Sequence, residues 1–140
     1  MIANDIIEHA SILDSLHETW QPHAGQITVG KALFQDDKRM LFIQCGRKWG
    51  KTEIIMYFLY RWALTHPNAS CYYISPFQKQ SKEIIWANGR LQRFINKKYV
   101  RSTNSTEMRI TLTNGSFIKL DGSDNFEAYR GIEPHMVVFE

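Results

Sequence analysis

Cys45-Gly46-Arg47-Lys48-Trp49-Gly50-Lys51-Thr52 is the stretch whose residue types and spacing can do chemistry. Glycine lets a backbone turn tightly enough for successive N–H groups to converge, and a helix that follows adds partial positive charge at its N-terminus. That combination cradles phosphate. Lys51 would reach the β- and γ-phosphates of a nucleotide, and Thr52 would put its hydroxyl on Mg²⁺. A strand before such a loop and a helix after it make the match credible. Here the apolar run Met40–Ile43 leads in and the helix-like run Glu53–Leu64 leads out.

The match to G-x-x-x-x-G-K-[ST] is imperfect. The first glycine of the pattern falls on Cys45, and Gly46 stands one position later. The basic pair Arg47-Lys48 occupies places where small residues are usual. Set against the phosphate reading is a bland one, in which Gly-Lys-Thr follows an apolar run by coincidence. Strand and helix both fall where the motif needs them, and this favours the phosphate reading. Within the run Gly46–Thr52, Lys48 is expected to face solvent and Trp49 to pack against the loop.

Nucleotide motors also need an acid at the end of an apolar strand to hold the Mg²⁺ shell, usually followed by a glutamate that polarises water. His135-Met136-Val137-Val138-Phe139-Glu140 supplies an apolar strand ending in an acid. Glu140 is therefore the candidate metal acid. A second register makes Glu140 the catalytic acid itself, and a plain strand-end cap is the structural alternative. The five histidines show no metal-ligand spacing.

Several elements must position these groups. Ile2, Ile6, Ala10, Leu13, Leu16 and Trp20 recur at helical spacing over residues 2–19, and Pro22 ends that helix. A short periodic segment, Ile27–Leu33, follows Gly25-Gln26. Arg39–Cys45 reads as a fully buried strand because its apolar run does not alternate. The helix after the loop is apolar almost all round, and His66-Pro67-Asn68 closes it. Ser70–Ser75 is a second strand, stopped by Pro76. Residues 78–98 read as a further helix with Ile84, Ile85, Leu91, Phe94 and Ile95 inward, weakened at Gly89. On its other side Arg90, Arg93 and Lys97 form a basic cluster that could touch DNA phosphates, or could be an ordinary solvated face.

Thr106–Leu120 reads as a hairpin turning at Asn114-Gly115. A two-residue turn would put Ile118 and Leu120 on the wrong face. A three-residue loop, Thr113-Asn114-Gly115, pairs Ile110 with Ile118 and Met108 with Leu120, so the pattern selects the longer loop with Gly115 left-handed. Strand, helix and strand with short links are the α/β signature, which implies parallel pairing.

Composition adds bounds. With 140 residues, 44% apolar and 22% charged, the chain is one domain's worth of ordinary globular sequence. The net charge of +3 permits a nucleic-acid partner without demonstrating one. Cys45 and Cys71 are too few for a disulfide framework and read as reduced thiols. No apolar run reaches membrane-spanning length, and Asp5 and Glu8 argue against a signal peptide, so a cytoplasmic location is expected.

Taken in order, the motifs resemble the large terminase subunits of tailed phages, whose motors carry Gly-Arg-x-x-Gly-Lys-Thr at the phosphate loop. Pro22-His23-x-Gly25-Gln26 stands upstream, Tyr73-Ile74-Ser75-Pro76 on the second strand, then Thr113-Asn114-Gly115-Ser116, and Arg130-Gly131 before the acid strand. The resemblance covers nearly the whole chain and implies an α/β P-loop NTPase of the ASCE type, with a mostly parallel sheet flanked by helices plus the hairpin. Residues 1–37 would form the N-terminal helix and adenine-side segment, and 38–140 would run from phosphate loop to acid strand.

The resemblance also implies roles. Arg47 would act on the γ-phosphate as an arginine finger from within the subunit. Gln26 would hydrogen-bond the adenine edge, which suits an amide because it donates and accepts at once. Gln44, on the expected strand, is the weaker candidate. ATP and Mg²⁺ are the implied ligands. Double-stranded DNA, the portal protein and the small terminase subunit are the implied partners, in a homo-oligomeric ring in the host cytoplasm.

A domain that stops on its acid strand is expected to be a fragment or a truncated product, without the catalytic glutamate or the nuclease domain. It is expected to bind ATP and to hydrolyse it poorly. Two other readings stand beside this one: a helicase-like translocase, and a nucleotide-binding module without turnover.

Overall fold

The computed structural model describes residues 20–34 and 39–140, apart from the side chain of Phe126. The expected helix over residues 2–19 lies outside them. The chain divides into two compact units, Met1–Phe58 and Leu59–Glu140.

In the first unit, helix α1 spans Ala24–Leu33; helix α2, Lys51–Thr65, begins there directly after the glycine-bearing loop and continues past the unit boundary at Phe58. Ile54, Met56, Leu59 and Tyr60 are all fully buried, so this helix is apolar around its circumference as its sequence implies. Rings of Trp20 and Phe34 pack on Tyr57 at 5.1 and 6.4 Å, and Phe34 also meets Phe58 at 5.2 Å.

The expected buried strand Arg39–Cys45 does not form. No ladder includes it among the described residues, and Met40 and Phe42 are 75% and 89% exposed. An apolar run specifies side chains that suit a sheet interior, but a strand exists only through hydrogen bonds to neighbouring strands.

The second unit carries a five-stranded sheet in the order β2-β3-β4-β1-β5. Its strands are β1 Ser70–Ser75, β2 Val100–Asn104, β3 Arg109–Leu112, β4 Phe117–Gly122 and β5 Met136–Phe139. β1 lies between β4 and β5 and runs parallel to both. β3 runs antiparallel to β2 and to β4. The sheet is therefore mixed rather than mostly parallel, because the hairpin joins the same sheet and brings β2 with it.

The hairpin has the register its hydrophobic pattern selects. Ile110 faces Ile118, the Leu120 amide bonds to the Met108 carbonyl at 3.0 Å, and Gly115 is left-handed with φ +87. Leu112 and Ser116 close a three-residue loop. β5 is an edge strand and not a buried one. Among the described residues it pairs only with β1, and Phe139 is 76% exposed.

The expected helix over residues 78–98 is broken into pieces. One α-turn, Gln78–Gln80, passes into a π-helix, Ser81–Trp86, and two 3₁₀ turns follow at Gln92–Phe94 and Lys97–Tyr99. Gly89 takes φ +65, and the backbone is extended at Ile95 and Asn96. Ile85, Leu91, Phe94 and Ile95 are buried as expected, whereas Ile84 is half exposed. Among the described residues, no helix is long and apolar enough to cross a membrane.

A buried acid organises the carboxyl end of β4. Asp121 is fully buried. It accepts from the Gly122 amide at 2.8 Å, from Asn125 Nδ2 and from the Tyr129 hydroxyl, and Lys119 Nζ lies 3.8 Å away. These contacts pin the 3₁₀ segment Ser123–Tyr129 to the sheet. They also supply the partners that a buried charge requires. Burial and the bond to the Asp121 carboxylate push the Tyr129 phenol well above its ordinary range. Ser81 donates to the Asp121 carbonyl at 2.7 Å and tethers the π-helix to the same strand end.

Candidate functional site

The loop is built from backbone geometry first. Lys48 has φ +60 and Gly50 φ +91, so two left-handed positions bend Gly46–Gly50 just before α2. A lysine in the left-handed region stores a small strain that surrounding contacts must hold. Gly50 can take its φ without that strain, and any β-carbon there would also strike the Gln26 amide. Gly46 is different: apart from its chain neighbours, no atom of the described residues lies within 4 Å of where its β-carbon would stand. The glycine that shapes this loop is the one before Lys51, not the displaced one after Cys45.

The Gly50 carbonyl accepts the Ile54 amide at 3.4 Å, which opens α2. Lys51 and Thr52 thus stand in the first helical turn, the end at which a helix carries partial positive charge. Arg47 and Lys48 are exposed beside it, and Lys51, Thr52 and Trp49 are half-buried. Four cationic or hydroxyl groups therefore occupy one short loop and helix start, an arrangement suited to a polyphosphate.

The N-terminus of α1 holds this loop. His23 is the N-cap residue of α1, and its Nδ1 accepts from the amides of Gly25 and Gln26 at 3.1 and 3.3 Å. The Gln26 Oε1 accepts from the His23 amide at 2.9 Å, completing a capping box with histidine in the usual Ser/Thr place. Both side chains then reach across. Gln26 Nε2 donates to the Gly50 carbonyl at 2.9 Å, and His23 Nε2 meets the Trp49 carbonyl at 2.7 Å. Because Nδ1 accepts, the imidazole proton sits on Nε2, and that is the nitrogen that donates to Trp49. The Trp49 ring stands edge-on to His23 at 4.8 Å, so Trp49 packs as its type implies.

The structure brings Gln26 against Gly50 of the loop. It does not bring Arg90, Arg93 and Lys97 onto one helix face. Arg90 lies half-buried in the turn after the π-helix, and Arg93 lies in a 3₁₀ turn with its guanidinium 5.2 Å from the Phe94 ring centroid. Lys97 begins another 3₁₀ turn after the extended Asn96. The helical spacing that grouped them is absent.

Glu140 follows β5 in the second unit and is exposed, with its amide donating to the Ile74 carbonyl at 3.0 Å. Among the described residues, no group of three or more His, Cys, Asp or Glu side chains is placed to hold a metal ion. Both cysteines are free. The Cys71 thiol is pushed up to about 12 by burial, so it is not a reactive thiolate.

Sequence reasoning gave His23 no role. The signal was present as His23-x-x-Gln26, the spacing of a capping box, but histidine is not among the favoured N-cap residues. Compared with family models and with curated proteins, the chain matches none.

Proposed function

We propose that this chain is an ATP-binding motor domain with a P-loop NTPase fold, of the kind that large terminase subunits carry, which couples hydrolysis to movement of double-stranded DNA. One observation carries the reading. A loop bent by left-handed Lys48 and Gly50 delivers Lys51 and Thr52 to the first turn of a fifteen-residue helix.

In this reading Lys51 binds the β- and γ-phosphates as a point charge. The exposed Arg47 reaches the γ-phosphate and offsets charge that develops as the bond breaks. The Thr52 hydroxyl is an oxygen donor of the kind Mg²⁺ takes, since that ion is usually held by a few protein oxygens together with substrate phosphates. Bound there, Mg²⁺ would neutralise phosphate charge. Glu140, the acid that ends the apolar run Met136–Phe139, is proposed as a metal ligand on its sequence pattern alone. DNA as the substrate moved, and the portal and small terminase subunit as partners in a ring, rest on the order of the sequence motifs.

Equilibrium titration with Mg-ATP tests the reading. The native chain should bind, and Lys51→Ala should weaken binding by about ten- to a hundredfold, the worth of one charge-assisted hydrogen bond. Equal affinity in both proteins, or no binding by the native chain, would refute it.

A further inference from the structure

We infer that His23 and Gln26 are positioning residues, a latch that holds the phosphate loop in its anion-binding shape whatever base the nucleotide carries. The inference rests on the phosphate-binding reading above and reassigns Gln26 from reading adenine to holding the loop.

Four observations converge on it. The Gln26 amide is occupied at both ends within the chain, by the His23 amide on its oxygen and by the Gly50 carbonyl on its nitrogen. Its side chain has little surface left to meet a base, since the residue is 4% exposed. The His23 imidazole is likewise spent, capping α1 with Nδ1 and donating to Trp49 with Nε2. Finally, the fit between the two segments is close, because a β-carbon on Gly25 would lie 2.8 Å from the Trp49 ring.

The two carbonyls that are gripped, Trp49 and Gly50, are consecutive and directly precede Lys51. A carbonyl tied down on one side of a peptide fixes where the following N–H points. Holding these two carbonyls therefore aims the amides of Gly50 and Lys51, which is what a phosphate-binding loop must have settled before its ligand arrives. The strain at Lys48 needs such a restraint as well. The latch thus supplies preorganisation, and its contribution appears on the phosphates rather than on the base.

The test uses two neutral substitutions that leave α1 able to form. Gln26→Met keeps the side-chain volume and removes both amide bonds. His23→Asn keeps a favoured N-cap residue and is too short to reach the Trp49 carbonyl. Each protein is titrated with Mg-ATP, Mg-GTP and Mg-tripolyphosphate, which has no base, and amide hydrogen exchange is followed in residues 46–52 and in β1.

Each substitution should weaken all three ligands by the same factor, about five- to tenfold. Exchange in the loop should accelerate while exchange in β1 stays unchanged. Loss confined to ATP, with tripolyphosphate unaffected, would overturn the latch and return Gln26 to the base. Unchanged loop exchange would overturn it as well. If the native chain binds none of the three ligands, the nucleotide reading falls, and the exchange measurement alone decides whether the latch exists.

Discussion

Replacing Asn114 with alanine should destabilise the chain by about 2–3 kcal/mol, because this side chain finishes a helix that cannot finish itself. The last turn of α2 leaves two carbonyls in need of donors. The Ala63 carbonyl would take the amide of residue 67, but Pro67 has none. The Leu64 carbonyl would take the Asn68 amide, which instead donates to the Asn114 carbonyl at 3.2 Å. Asn114 Nδ2 supplies both, donating at 2.9 Å to Ala63 and 3.0 Å to Leu64, while its Oδ1 accepts from the Ser116 amide at 3.0 Å.

Three bonds in a half-buried site, each worth about 0.5–1.5 kcal/mol net, give the figure above. Urea unfolding followed by tryptophan fluorescence reads it directly, and the thermal midpoint should fall by roughly 5–10 °C for a chain of this size. Asn114→Asp sharpens the test. It keeps the acceptor for Ser116, removes both donors and places negative charge at the C-terminal end of a helix, so it should lose at least as much. A loss under about 0.5 kcal/mol, or an aspartate variant as stable as the native chain, would refute the reasoning. Mg-ATP affinity well below the midpoint should be unchanged, because Lys51 and Thr52 stand at the other end of the same helix.

Gly122→Ala should cost at least about 2 kcal/mol or prevent folding, since a β-carbon there would run into the backbone of Phe77 and Gln78, which has no flexible end to yield; urea unfolding at native stability would sink this. Stability should also fall in alkali. The buried Cys71 thiol is pushed up from 9.0 to about 12, and the Tyr72 and Tyr129 phenols are raised as well. The folded state therefore keeps protons that the unfolded state releases, so the contribution is complete below about pH 9 and is lost as pH rises towards 12. The urea midpoint should drop more steeply above pH 9 in the native chain than in Cys71→Ala, and parallel curves would contradict the assignment.

What could be read from sequence was what is decided locally. The hairpin register was legible because side chains alternate with a period of two and only one loop length keeps Ile110, Ile118 and Leu120 on one face. α2 and β1 were legible because a long apolar run in one, a short apolar run in the other, and the proline that follows each act within the element itself. The failures were pairing problems. β2, Val-Arg-Ser-Thr-Asn, carries no apolar alternation because it is an edge strand whose last four residues are exposed, so only its bonds to β3 make it a strand.

Arg39–Cys45 is the converse case, apolar enough for a sheet interior yet without a ladder among the described residues. Residues 78–98 had Ile85, Leu91, Phe94 and Ile95 rightly inward and Ile84 wrongly so, and the geometry was not that of one helix. Gly89 at φ +65 and the extended Asn96 break the chain into turns, and burial of Leu91, Phe94 and Ile95 is reached without one continuous helix. The same limit applied at the candidate site. The loop's residue types are visible in order, but the grip on it depends on which carbonyls two upstream side chains reach, across 24 and 26 residues of sequence. A capping box read with histidine admitted as its first member would have placed His23 and Gln26 at the start of α1. That those two side chains also reach the loop becomes visible only once α1 and the loop are set side by side.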